Sequence, residues 1–255
     1  MNKLQFNRMA TTVLFAVLVL VSSVALAQKP IKRPPKKVRQ TTTQQVAKPP
    51  KKTVAPAKTP IIEVDSFCIV DLPTTGEING HGWVDLGLSV KWAGTNVGAY
   101  SPPDLGYYFA WGETSPKKEA IDVKERCKTM GLDLPDISGN REYDAARANW
   151  GGSWRMPTKE ECQELLGKCK WYWGSSVGRT PKEIIRGYYV VGPNGKYIFL
   201  PAFYHEKKDQ MMGSYWSSSP DGSVHEAFAL YFHDNEKSVF DESRGYGSFI
   251  RPVTE

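Results

Sequence analysis

From Val84 to Trp92 every second residue is apolar (Val84, Leu86, Leu88, Val90, Trp92), and Asp85, Ser89 and Lys91 stand between them. A period of two sustained over this span predicts one half-buried strand, with Gly87 as its weak point. Gly98 to Pro103 breaks the pattern, and Tyr107-Tyr108-Phe109-Ala110-Trp111 begins a second apolar stretch. Asp122 to Met130 and Tyr143 to Ala148 read as short helices, the first ended by Gly131.

The sharpest local signal is Thr158-Lys159-Glu160-Glu161. In such a capping box the Thr158 hydroxyl accepts from the Glu161 backbone N–H, while the Glu161 carboxylate accepts from the Thr158 backbone. The helix it opens sets Cys162, Leu165, Leu166 and Cys169 on one inward stripe. Glu160 and Glu161 sit at the positive end of the helix dipole, which accounts for them without a catalytic carboxylate pair. Just upstream, Trp150 and Trp154 flank Gly151-Gly152 and precede Arg155. A tight crossing at the glycines would let both indoles pack over the capped helix, with Arg155 satisfying carbonyls or a carboxylate. This motif reads as architecture that anchors the helix to the sheet.

Later elements are short and extended. Trp171 and Trp173 alternate on one side of a strand. Tyr188 to Val191 and Tyr197 to Leu200 flank the turn Gly192-Pro193-Asn194-Gly195, which predicts a hairpin. Ala227 to Phe232 and Ser238 to Phe240 form a second hairpin across His233-Asp234-Asn235-Glu236, and Gly247 to Val253 is a terminal strand. One or two helices, many short antiparallel strands and eight tryptophans give an α+β domain.

Charge divides the chain. Residues 1–27 carry Lys3 and Arg8, then an apolar run from Val13 to Leu20, then Ala25-Leu26-Ala27, the pattern of a secretory signal peptide cleaved before Gln28. Residues 28–60 hold ten basic residues, seven prolines and no acid. With almost no large apolar side chains, this stretch cannot form a core and reads as a disordered, polyproline-like arm. PPKK occurs at Pro34 to Lys37 and again at Pro49 to Lys52. From Ile61 onward acids outnumber bases by six, so the formal +6 of the whole chain comes from a cationic arm tethered to an acidic body. Such an arm reads first as an extended spacer; its like charges also suit it to an anionic envelope surface, and without interleaved aromatics it does not suit nucleic acid.

Residues 61–255 are long enough for one domain. Their cysteines, Cys68, Cys127, Cys162 and Cys169, are even in number, which fits structural disulfides or free buried thiols in a secreted chain. If Cys162 and Cys169 shared one helix they would lie about 10 Å apart, beyond bridging distance. No pair has zinc spacing, and no cofactor motif is present.

The blocks WVDLGLSVKWAGTNVGA, YYFAWGET, DAARANWGGSWRMPT, GPNGKYIFLPA, YWSSS and FIRPV, running in order from about Gly82 to Val253, resemble the Fibrobacter succinogenes major paralogous domain family. The resemblance implies a secreted or surface module of the kind abundant in Bacteroidetes and Fibrobacteres. It also implies a C-type lectin-like fold, distantly related to formylglycine-generating sulfatase-modifying enzymes. The chain departs from the family pattern in a charged stretch between Glu113 and Asn140 and in Gly94-Thr95, where many members carry Thr-Cys.

Catalysis finds little purchase. Formylglycine-type oxidation needs closely spaced thiolates late in the domain, and no cysteine follows Cys169. Ser217-Ser218-Ser219 lacks a nucleophile elbow and reads as a hydrogen-bonding turn. The histidines His81, His205, His225 and His233 show no metal-binding pairing, and the Gly192-Pro193-Asn194 and His233-Asp234-Asn235 segments lack a full calcium-lectin ligand set. The expected function is therefore a secreted, non-catalytic recognition module that binds a protein or glycan through its late loops. Trp173, Tyr204, His205, Asp209, Asp221 and Asn235 are the candidate ligand residues. Two alternatives are a structural envelope component held by the arm, and a formylglycine-generating-like enzyme that has lost its cysteine site.

Overall fold

The computed structural model describes residues 74–117, 127–180 and 182–255, and of Lys207 only the backbone. The signal segment, the basic arm, Cys68 and the first part of the helix expected at 122–130 lie outside the described residues.

Strands β1 (Gly76–Ile78), β2 (His81–Val84), β3 (Lys91–Ala93) and β11 (Val253–Thr254) form one antiparallel sheet in the order β1-β2-β3-β11, so the chain ends beside its first described strands. Helices α1 (Ala145–Trp150) and α2 (Lys159–Lys168) follow. Next comes a meander of β4 (Lys170–Val177), β5 (Ile184–Val191) and β6 (Tyr197–Pro201). The remaining sheet has the order β10-β9-β8-β7, from β7 (Phe203–His205), β8 (Gln210–Pro220), β9 (Glu226–His233) and β10 (Lys237–Ser243). Antiparallel sheets with two helices make an α+β fold, and both expected hairpins are present as β5–β6 and β9–β10.

Several expected boundaries move, each for a local reason. The single strand over Val84–Trp92 is two strands: β2 stops at Val84 and β3 starts at Lys91. Gly87 adopts φ +75° and its N–H donates to Asp85 Oδ1 at 2.8 Å, an Asx turn that ends the ladder. Alternation survives in burial, because Val84, Leu86, Val90 and Trp92 all face the core. The helix expected at Tyr143 begins instead at Ala145, because Asp144 is its N-cap and accepts from Arg147 N at 3.0 Å. Cys127 to Met130 form a turn rather than helix. The Thr129 carbonyl there accepts from Arg244, and the Thr129 hydroxyl donates to Trp111 O at 2.5 Å. The terminal strand shrinks to Val253–Thr254, because Ser248 and Phe249 make only single bridges and Pro252 has no N–H to donate. Ser217 to Ser219 belong to β8, at an irregularity between Trp216 and Pro220, and are not a turn.

The sheet of β7 to β10 separates two cores. Tyr215, Leu230 and Phe232 on one face join Cys162 and Leu165 of α2 with Tyr188, Val190, Ile198 and Leu200. Trp216, Ala227 and Ala229 on the other face join Trp111, Trp150, Trp154, Met156 and the alanines of α1. Neighbouring residues Tyr215 and Trp216 thus serve different cores, as strand pleating requires.

The capping box forms as expected. Glu161 N donates to Thr158 Oγ1 at 3.2 Å, and Thr158 N donates to Glu161 Oε2 at 2.8 Å. Arg155 grips the same carboxylate with Nη1 at 2.8 Å and Nη2 at 2.6 Å. The two indoles, however, pack away from α2 and against the β1–β2 hairpin. Trp150 stacks on His81 with ring centroids 3.8 Å apart, Trp154 meets Trp150 edge-on, and Trp154 Nε1 donates to Ile78 O at 3.0 Å. Gly151 and Gly152, at φ +66° and +57°, let the chain turn back so that Arg155 pairs with Val253. Asp144 closes this corner, accepting from Gly139 N at 2.7 Å and Met156 N at 2.8 Å, while burial pushes its pKa up.

Among the described residues, two arginines are buried with no carboxylate hydrogen-bonded to them. Arg251 donates through Nε to Asn96 Oδ1 at 2.7 Å, through Nη1 to Ala93 O at 3.0 Å and through Nη2 to Phe199 O at 2.9 Å, and burial lowers its pKa to about 10. Arg244 lies over the Trp111 ring at 4.3 Å and donates to the carbonyls of Thr129, Leu132, Ser223 and Glu226. Replacing Arg251 by Met strands those acceptors in an apolar interior. Chemical denaturation should show a loss of about 3 kcal/mol, roughly 1 kcal/mol for each orphaned acceptor. A loss below about 0.5 kcal/mol would contradict the clamp, since that is the size of an ordinary surface substitution.

Candidate functional site

At one end of the larger sheet two connections lie side by side. His205 pairs with Gln210 across a 3-10 turn, Glu206–Lys208, and Met212 pairs with His233, so the β7–β8 connection and the β9–β10 turn leave the same end of the sheet. Tyr204 is 54% exposed, and its hydroxyl donates to Asp209 Oδ1. That bond raises the phenol pKa, with the Asp209 charge adding to it. Asp209 itself takes a left-handed conformation at φ +50°, which Asp tolerates better than most residues. His205 Nδ1 accepts from Lys208 N at 3.2 Å, which leaves Nε2 as the ring's protonated nitrogen in the neutral form.

The neighbouring turn is ordered from beneath. The Tyr188 hydroxyl reaches the carbonyls of His233 and Asp234, each at 3.0 Å. His233 has Asp234 Oδ1 at 3.3 Å from Nδ1 and Glu236 Oε2 at 3.3 Å from Nε2, and Asn235 N points at Nδ1 from 3.4 Å. Gln210 Nε2 donates to the Tyr231 hydroxyl at 3.1 Å, and the Tyr231 ring meets Phe240 edge-on at 5.3 Å.

Of the six candidate residues, Tyr204, His205 and Asp209 share one connection, and Asn235 tips the adjacent turn. Trp173 is half-buried and does not join them on the surface. It meets Tyr188 at 5.0 Å and Phe232 at 6.5 Å, underpinning the turn from the core side. Asp221 lies at the far end of the same sheet, in the β8–β9 connection, where its Oδ1 accepts from Ser223 N at 2.7 Å. Asp221, Glu226 and Asp241 bring carboxylate oxygens within 4.8 Å of one another. Three carboxylates carry six oxygens, the lower bound of the six to eight that calcium takes. The candidate ligand set left out Gln210, Tyr231 and His233. Alternation in Ala227-Phe228-Ala229-Leu230-Tyr231-Phe232-His233 already separates Tyr231 and His233 from the core-facing Leu230 and Phe232.

Most of the groups that suggested chemistry are engaged in structure, although Ser218 Oγ is buried with no hydrogen-bond partner among the described residues. Ser217 Oγ donates to Phe228 O at 2.8 Å, and Ser219 Oγ donates to Asp136 Oδ2 at 2.6 Å while accepting from Lys159 N at 3.0 Å. A cavity of about 300 Å³ lies beside Glu113, Lys128, Thr129, Glu142 and Tyr143, but Glu113 is held by Lys117 at 3.0 Å and by Lys128 N at 2.7 Å. Cys127, Cys162 and Cys169 are free thiols, so no disulfide forms among the described residues. Helix α2 runs through Cys162 to Lys168, and its rise separates Cys162 from Cys169 by about 10 Å.

No protein-family model, curated protein or solved structure matches this chain. Among the described residues no helix is long and apolar enough to cross a membrane.

Burial raises the thiol of Cys169 from 9.0 to about 11 and that of Cys162 further, and it raises the phenol of Tyr108 from 10.0 to about 12 and that of Tyr215 further. The folded state therefore keeps protons that the unfolded chain has released. Their contribution to stability is complete below pH 9.0 and is lost progressively as pH rises from there through about 12, opposed by Arg251 and Arg244, whose pKa values burial lowers. Urea midpoints should fall between pH 8 and 11; a midpoint that rises over this range would refute the assignment.

Proposed function

We propose that the chain is a secreted, non-catalytic recognition module of the C-type lectin-like, Fibrobacter succinogenes major paralogous domain type, binding a protein or glycan at or outside the cell envelope. Its contact surface is the paired β7–β8 and β9–β10 connections, and residues 28–60 hold it to anionic envelope material. The observation that carries this reading is the grouping of Tyr204, His205, Asp209 and Asn235 at one end of a sheet packed between two cores. The surface combines a ring able to stack with several acceptors, on connections pinned by Tyr188 and by the 3-10 turn. Pre-organisation of this kind lowers the entropy lost on binding. Side chains already satisfied by their neighbours also suit contact better than proton transfer, which needs a base free to take a substrate proton.

An array of glycans and envelope proteins probed with the full chain tests the proposal. A hit should survive chelator and weaken about tenfold or more in a Tyr204→Ala, His205→Ala double variant, as for truncation of an interface centre. Equal binding by that variant would place recognition elsewhere. If every hit vanishes in a chain lacking residues 28–60 and none depends on the double variant, the basic arm is the functional contact.

A further inference from the structure

Tyr100 is 82% exposed, the most open large apolar side chain of the described residues, yet its surroundings are not those of a mobile tip. The segment carrying it closes on itself through Ala99 N to Asn96 O at 3.0 Å, Asp104 N to Ser101 O at 3.0 Å and Tyr107 N to Val97 O at 2.9 Å. Asn96 joins the loop to the interior: its Nδ2 donates to Leu105 O at 2.8 Å, and its Oδ1 accepts from buried Arg251 at 2.7 Å. The Tyr107 ring lies so close over Gly98 that a Cβ there would fall 2.3 Å from it. An aromatic ring is thus presented on a braced loop.

The second element comes from the β4–β5 turn. Arg179 places its guanidinium carbon 4.8 Å from the centre of the Tyr100 ring, and its Nε donates to Asp104 Oδ2 at 3.2 Å. The same oxygen accepts the Tyr100 backbone N–H at 3.1 Å. Asp104, only 8% exposed, therefore fixes ring and guanidinium together. With Nε occupied, the two Nη groups make no hydrogen bond to the described residues, and the side chain remains 59% exposed. Glu183 is turned toward the backbone, accepting from Arg179 N at 2.9 Å.

We infer that Tyr100 and Arg179 form a pre-organised contact for a carboxylate of an acidic partner peptide. The free Nη edge donates two parallel bonds to a planar carboxylate, and the Tyr100 ring beside it covers the apolar stem that bears the carboxylate. Tyrosine and arginine are the residue types that concentrate binding energy at protein interfaces, and here their positions are set before a partner arrives. The neighbouring charges of Asp104 and Glu183 disfavour a doubly charged phosphate more than a singly charged carboxylate, which selects between the two oxyanions.

The test is a titration of the full chain with acetylated tetraglutamate, inorganic phosphate and tetralysine, followed by NMR at the Arg179 side-chain Nε–H and the Tyr100 amide. Those two signals report the local contact and are blind to tetraglutamate held by the basic arm. Tetraglutamate should move both saturably. Its affinity should fall about tenfold in Arg179→Lys, which keeps the charge but loses the fork, and less in Tyr100→Ala. Tyr204→Ala should leave the titration unchanged, which separates this contact from the proposed recognition surface. Wild-type affinity in Arg179→Lys, or phosphate binding as tightly as tetraglutamate, would overturn the inference.

Discussion

A guanidinium in an apolar interior is tolerable only where acceptors converge on it. Arg251 draws Ala93 O, Phe199 O and Asn96 Oδ1 to one point, joining the end of β3, the loop after it, the β6 strand and the C-terminal segment. Arg244 does the same for the Thr129, Leu132, Ser223 and Glu226 carbonyls, across the face of Trp111. With no carboxylate bonded to either, their donors depend on carbonyls, and on Asn96 Oδ1, placed correctly by the rest of the fold. The loops around these side chains are consequently specified from inside, and irregular chain is held nearly as firmly as strand.

This constraint explains why so much sequence is devoted to corners. Asp144 caps α1 and gathers the Gly139 and Met156 amides; Glu161 closes the capping box and takes Arg155. Gly151 and Gly152 turn the chain so that Arg155 pairs with Val253 while both indoles settle on the first hairpin. Each of these groups is bonded or packed within the fold. Their effect on function is indirect: they fix a frame from which the connections at 98–107, 206–209 and 234–236 project.

Periodicity and turn chemistry made the hairpins and the α2 cap legible, because those signals are contained within a few residues. The Val84–Trp92 pattern predicted burial correctly but connectivity wrongly, since side chains can alternate inward along a bent chain as well as along a strand. The Cys127–Met130 turn was hidden for another reason: Thr129 is held through its hydroxyl by the Trp111 carbonyl and through its own carbonyl by Arg244, far along the sequence. Long-range carbonyl capture leaves no local trace. Among the candidate ligand residues, Asn235 lies in a turn the sequence marked, Tyr204, His205 and Asp209 lie at a β7–β8 connection that no local signal marked, and Trp173 turned inward because Tyr188 and Phe232 complete its packing from other strands.

Amide hydrogen exchange on the intact chain tests most directly whether buried arginines set the rigidity of the frame. The amides of Ala93, Val97, Arg155 and Val253, bonded within the clamped corner, should exchange only with global unfolding, while those of residues 206–209 and 234–236 exchange through local opening orders of magnitude sooner. If the clamped amides exchange as quickly as the turn amides, the frame is not held from within and the account fails.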